Sequence, residues 1–137
     1  MHRSLLLLSA AALLCAVPLV AGAQSAKPVL YTADQATRGA AVYAQSCAAC
    51  HGTQLEGVAA PALKGAIFGE GAIAKGTTAQ SLLDVIANTM PQTDPGSLKP
   101  EDYNAVTAYI LQQNGYPAGT AALANGAAGM KDAKITP

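Results

Sequence analysis

Two cysteines and a histidine stand close together in the run Cys47-Ala48-Ala49-Cys50-His51, and this spacing can attach a haem group covalently. Residues three apart on a helix share a face, so both thiols can reach the two vinyl groups of one porphyrin. His51 follows at once and can turn its imidazole toward the iron as an axial ligand. The run therefore predicts one c-type haem, held by thioether bonds from Cys47 and Cys50 and ligated by His51.

Three other kinds of site use the same residue types. A thioredoxin-like redox pair needs a strand–helix–strand setting, whereas the flanks of this run are alanine-rich and helical in pattern. A disulfide between Cys47 and Cys50 would close a very short loop, stabilise little and leave His51 without a role. A structural zinc site needs four cysteine or histidine ligands. Only these three remain once the N-terminal segment described below is removed.

A second axial ligand is expected to be a methionine, because no other histidine remains in that shorter chain. Met90 stands between Thr89 and Pro91, just past a predicted helix, while Met130 lies in a region rich in alanine and glycine. The alternative role for either methionine is to fill a gap in the core, and Met130 is the other candidate ligand. Met90 is favoured because Pro91 ends the helix and leaves the side chain projecting.

The first two dozen residues are unlike the rest of the chain. A basic start at Arg3 precedes an apolar run over 5–14, and Ala21-Gly22-Ala23 follows it. This order is typical of a secretory signal peptide over 1–23, cleaved after Ala23, and an uncleaved membrane anchor is the alternative. Secretion predicts a periplasmic protein. The periplasm lies on the oxidising side of the membrane, where haem is attached covalently to cysteines. No second apolar stretch approaches spanning length, so we expect no membrane insertion after cleavage.

The charge balance excludes some classes of partner. The full chain has 8 basic and 8 acidic residues among 137, and only 12% of its residues are charged. Loss of Arg3 on cleavage leaves the remaining chain with a net charge of about −1. This balance argues against nucleic acid or an acidic membrane as the main partner. Aromatic residues make up only 4%, so we expect a bound group to complete the core.

Helices should position these residues. Thr32 and Gln35 form a capping-box pattern, Thr78 can cap a second helix, and Pro100 suits the first position of a third. Apolar periodicity and the following glycines and prolines predict helices over 33–48, 79–89 and 100–114.

Two other regions lack such periodicity. The long loop after His51 is rich in glycine and proline, and we expect it to wrap a ligand. Residues 117–137 are mostly alanine, glycine, threonine and lysine, and should bury little surface and be loosely ordered, or lie over the domain.

Three motifs stand in the order Cys47-Ala48-Ala49-Cys50-His51, Pro61-Ala62-Leu63 and Thr89-Met90-Pro91. In this order they resemble class I c-type cytochromes, and the resemblance covers residues 31–116. It implies an all-α, small cytochrome c fold of three to four helices, wrapped with long loops around one covalently attached haem c. It also implies that the carbonyl of Pro61 accepts a hydrogen bond from the His51 imidazole. On this interpretation residues 117–137 form a tail beyond the domain.

The same family implies a crossing between the first and last helices. Gly39 and Tyr43 lie on one face of the predicted first helix, and the resemblance makes Tyr109 the partner of Tyr43 on the last helix. Class I cytochromes often use a tryptophan to bind a haem propionate, and this chain has none. Tyrosines, Ser97 and backbone amides are the remaining candidates.

A narrower resemblance rests on the C-terminal half of the domain: Met90-Pro91, Pro95-Gly96-Ser97-Leu98, Tyr103, Ala108-Tyr109-Ile110-Leu111 and Asn114-Gly115-Tyr116-Pro117-Ala118-Gly119. It is similar to small cytochromes, and haem domains, that accept electrons from pyrroloquinoline-quinone alcohol dehydrogenases. It implies a periplasmic mono-haem carrier, not itself an enzyme, that passes single electrons from a dehydrogenase to an oxidase or another cytochrome. One alternative is a fixed cytochrome subunit of a quinoprotein dehydrogenase complex. Another is a haem peroxidase or sensor with an open sixth iron position.

Overall fold

The computed structural model describes residues 27–65, 68 and 77–135, so the predicted signal peptide 1–23 lies outside the described residues. Within these ranges the chain forms four helices: α1 (Ala33–Ser46), α2 (Ala48–His51), α3 (Ala79–Thr89) and α4 (Pro100–Gln113). The described ranges contain no strand beyond two isolated bridges. The predicted all-α fold is therefore confirmed. None of the described helices has the length and apolar character needed to cross a membrane.

The helices begin where the sequence predicts. Thr32 and Gln35 form both halves of a capping box at α1, and the Thr78 side chain accepts a hydrogen bond from the Ser81 amide at α3. Pro100 occupies the start of α4. The predicted first helix is too long, because the backbone departs from helical geometry at residue 47 and α2 is a separate turn.

Helices α1 and α4 cross at Gly39. A side chain at this position would overlap the backbone carbonyl of Ala105 and the side chain of Tyr109, so only glycine allows so close an approach. Tyr43 lies one turn further along α1, and its ring packs against that of Tyr109 with centroids 5.3 Å apart. The predicted crossing, with Tyr109 as the partner, is confirmed.

The C-terminal segment 117–135 does not behave as the loosely ordered tail that its composition suggests. Leu123 and Met130 are each 1% exposed, and Ala133 and Ile135 are 7% and 5% exposed. All four join the core that the helices form. The expectation of little burial is wrong because a few well-spaced apolar side chains, together with backbone hydrogen bonds, can secure a segment of low overall hydrophobicity.

Candidate functional site

The two cysteines and His51 lie on a single helical turn that follows α1 directly. The amide groups of Cys50 and His51 both donate to the Cys47 carbonyl, at 3.2 and 2.9 Å. Gly52 ends the turn with a φ of 84°, in the left-handed region that favours glycine. All three side chains thereby reach the wall of one cavity.

Both thiols are available for bonding. Cys47 and Cys50 are free cysteines, Cys47 half-buried and Cys50 exposed. Burial raises the pKa of the Cys47 thiol to about 11, so the free thiol stays protonated at neutral pH. Two unlinked thiols one helical turn apart suit thioether attachment to a single flat ligand.

The imidazole of His51 has a defined orientation and proton position. His51 is 8% exposed, and its Nδ1 lies 2.7 Å from the carbonyl oxygen of Pro61. A carbonyl oxygen only accepts, so Nδ1 carries the proton and Nε2 keeps its lone pair for a metal. The loop that leads to Pro61 is held by the Cys50 carbonyl, which accepts hydrogen bonds from the amide groups of 58–60 at 3.2, 2.9 and 3.0 Å.

Met90 reaches the same cavity from the end of α3. Its amide donates to the Ile86 carbonyl at 3.0 Å, and its extended backbone then ends the helix. The Tyr103 hydroxyl donates to the Met90 carbonyl at 2.9 Å and accepts from the Leu98 amide at 3.3 Å. Met130, the alternative ligand, is instead a buried core residue and does not line this cavity.

The cavity between these residues has a volume of about 530 Å³, within the roughly 300–1,000 Å³ typical of cofactor pockets. Among its described wall residues Asp94 is the one aspartate, and no glutamate, lysine or arginine occurs there; Ser97, a candidate propionate partner, also lines it. Most of the remaining wall is apolar, and its larger apolar side chains are Leu63, Phe68, Leu82, Val85, Ile86, Val106 and Ile110. An apolar cavity bounded by two thiols, a hydrogen-bonded imidazole and a thioether fits a covalently attached haem.

All five residues singled out from the sequence, Cys47, Cys50, His51, Pro61 and Met90, thus lie around one cavity. Two hydroxyl contacts could not be foreseen. The Tyr43 hydroxyl donates to the Gly52 carbonyl at 2.7 Å, and the Tyr103 hydroxyl supports Met90 as described above. Burial, with a smaller effect of the nearby Cys47, raises the pKa of Tyr43, which keeps its phenol neutral and able to donate. The sequence could have indicated only that each tyrosine hydroxyl, if buried, would have a hydrogen-bond partner, and not which partner.

Comparison with known proteins gives a match to one family. A profile of the family described as "Cytochrome C oxidase, cbb3-type, subunit III" matches residues 34–110, which is 77 of the 137 residues. No curated protein matches the chain significantly.

Two solved structures are similar to part of the chain. The sulfane dehydrogenase SoxCD from Paracoccus pantotrophus is 28% identical over 58% of this chain and 43% of that chain, with a TM-score of 0.49. The thiosulfate dehydrogenase TsdBA from Marichromatium purpuratum, in its as-isolated form, is 33% identical over 62% of this chain and 20% of that chain, with a TM-score of 0.44. The chain therefore covers less than half of either protein chain.

Proposed function

Because the chain belongs to the family of c-type cytochrome domains described as cytochrome c oxidase, cbb3-type, subunit III, we propose that it passes single electrons between two redox proteins through its covalently bound haem c. The haem supplies a one-electron ferric–ferrous couple. One observation carries the proposal: the side chains of Cys47, Cys50, His51 and Met90 line one apolar cavity. A dehydrogenase is the proposed donor, and an oxidase or another cytochrome the proposed acceptor.

Each residue of the cavity has a distinct task in this proposal. Cys47 and Cys50 would hold the haem through thioether bonds, and His51 and Met90 would ligate its iron. The carbonyl of Pro61 holds the His51 ring in place and makes its imidazole a better donor. The Met90 thioether favours the ferrous state and so raises the reduction potential.

The same ligand set argues for a carrier without catalytic activity of its own. His51 and Met90 together leave no axial position at which oxygen or peroxide can bind. After cleavage at Ala23 the sequence holds no second histidine that could act as an acid or base near the iron. Cleavage of segment 1–23 as a signal peptide would release the carrier in the periplasm.

The proposed docking surface is the rim beside Cys50, formed by the uncharged residues Ala49, Cys50, Val58 and Ala59; the Val58 and Ala59 amides donate to the Cys50 carbonyl. Val58 is 73% exposed, which is unusual for a large apolar side chain. Partners would dock on this rim through apolar contact with little electrostatic steering.

A second candidate is a fixed electron-transfer subunit of an enzyme complex, and the family description, which names an oxidase subunit, favours it. The two candidates share the same haem site and differ in how long a partner stays bound. Purification from native periplasm and membranes under mild conditions separates them. A stoichiometric partner that remains through gel filtration would support the subunit, and a monomeric protein would support the diffusing carrier.

Absorption spectra of the periplasmic protein test the proposed ligands. The oxidised protein should show the weak long-wavelength band of ferric iron bound to methionine. Met90→Ala should abolish the band, while Met130→Leu, a conservative change at the buried methionine, should retain it. Retention of the band in Met90→Ala, or binding of carbon monoxide to the reduced native protein, would contradict the assignment.

A further inference from the structure

The C-terminal strap, defined as residues 117–135, contacts the beginnings of two helices. On α1, the Gln35 side chain donates to the Leu123 carbonyl and accepts from the Leu123 amide, both at 2.7 Å. Near α3, the Ile135 amide donates to the Thr77 carbonyl at 2.7 Å. The strap therefore connects the start of α1 with the start of α3.

Two amide groups in the first turn of α3 are satisfied by the strap. Ala79 and Gln80 have no partner within the helix, as at any helix N-terminus. Their amides donate to the carbonyls of Ala133 and Met130, at 2.9 and 3.0 Å. Thr78 caps only the Ser81 amide through its side chain. Removal of the strap would leave both first-turn donors without these protein acceptors.

The side chain of Gln80 provides the most specific link. Gln80 is 7% exposed, so its amide needs internal partners. Its Nε2 donates to Asn125 at 2.7 Å and to Asp84 at 2.8 Å, and its Oε1 accepts from the Gly126 amide at 2.8 Å. Two of these three bonds go to the strap.

The strap and α3 also share an apolar core. Met130 and Leu123 belong to the core cluster that also contains Leu82 and Leu83 of α3. Contact between α3 and α4 is much less extensive than contact between α1 and α4. The position of α3 thus depends strongly on elements other than α4.

We infer that the strap is a positioning element for Met90: by fixing the start of α3, it holds the thioether at the other end of this helix in place. An 11-residue helix such as α3 is a rigid rod of about 16 Å, so a displacement at its start is transmitted to its end. This inference rests on the proposed role of Met90 as an iron ligand. Gln80 and Asn125 act on the site through α3, and neither lines the cavity.

Competition by imidazole for the sixth iron position tests the inference in the full holoprotein. Gln80→Leu keeps a side chain of similar size but loses the bonds to the strap. Imidazole should bind this variant about three- to tenfold more tightly than the native protein, up to about 1.4 kcal/mol. Asn125→Ala, at an exposed position, removes one acceptor and should give about a twofold effect. It carries the test if Gln80→Leu does not fold.

Gln35→Ala is the control, because it breaks two strap bonds on α1 rather than α3, together with the capping-box bond from the Thr32 amide. It should lower the free energy of unfolding while leaving imidazole affinity within about twofold of native. Amide hydrogen exchange supplies an independent measurement: Gln80→Leu should accelerate exchange in α3 more than in α1.

Met90→Ala separates failure of this inference from failure of the ligand assignment. If native protein and Met90→Ala bind imidazole equally well, Met90 is not a ligand and both proposals fail. If Met90→Ala binds imidazole far more tightly but Gln80→Leu and Asn125→Ala bind it as the native protein does, only the strap inference is overturned.

Discussion

The hydroxyl of Tyr103 is the best single point at which to test how the fold holds Met90. In Tyr103→Phe the ring is retained and only two hydrogen bonds are lost, the one to the Met90 carbonyl at 2.9 Å and the one from the Leu98 amide at 3.3 Å. The shorter bond should contribute about 1 kcal/mol, and the longer one less. Met90 is half-buried, so water can replace part of this loss, and we expect a net cost of about 1–1.5 kcal/mol. That cost corresponds to roughly a five- to tenfold shift toward protein in which Met90 has left the iron.

Guanidinium titration with two probes measures this shift. The long-wavelength iron–methionine band reports Met90, and far-ultraviolet circular dichroism reports the helices. In Tyr103→Phe the band should disappear at a lower denaturant concentration than the helical signal does. Tyr31→Phe is the control, because Tyr31 is also buried and its hydroxyl donates to the Tyr116 carbonyl, outside the cavity wall. In the control both signals should move together, and the same behaviour in Tyr103→Phe would refute the reasoning.

Three further changes have defined expected outcomes. Gly39→Ala should lower the free energy of unfolding by about 2–3 kcal/mol, because the new methyl group overlaps the Ala105 carbonyl; a loss below about 0.5 kcal/mol in chemical denaturation would contradict the close crossing. Burial raises the pKa of Tyr31 above 10.0, so the unfolded chain releases this proton first and the free energy of unfolding should fall as pH rises above that value. Tyr31→Phe should make this alkaline decline shallower in denaturation curves measured across the range, and an unchanged slope would disprove the link. Stopped-flow electron transfer should depend little on salt in the native protein, and Val58→Asp should introduce a salt dependence that Val29→Asp, at an exposed valine outside the proposed rim, does not. Equal effects of the two substitutions would exclude the rim as the docking surface.

Local patterns made much of the site predictable. The spacing of Cys47, Cys50 and His51 matters because one helical turn brings residues three apart to one face. Thr32 caps α1 by accepting from the amide of Gln35, three residues away. Pro91 directly follows Met90, the residue at which α3 ends. Chain order and side-chain chemistry were therefore sufficient to predict three of the four described helices and the haem motif, but not the break that separates α2 from α1.

Composition was a poor guide to the C-terminal strap. Its alanines and glycines suggested little burial, yet Leu123 and Met130 lie in the core and the backbone of 129–135 bonds to α3 and to Thr77 just before it. Those hydrogen bonds join segments about fifty residues apart, and no local pattern records them. The function of Gln80 was equally hidden, since a glutamine in a helix usually faces solvent.

The sequence by itself determined the chemistry that this protein can carry: two thiols and an imidazole on one turn, a methionine after a helix, and too few charges for nucleic acid. The sequence also favoured Met90 over Met130, and the family resemblance implied the bond between His51 and the Pro61 carbonyl. The tertiary structure shows these groups around one cavity, and it alone showed the Tyr103 hydroxyl donating to the Met90 carbonyl. The physical reason is that ligand type follows from covalent structure, whereas position follows from packing and hydrogen bonds between residues far apart in the chain.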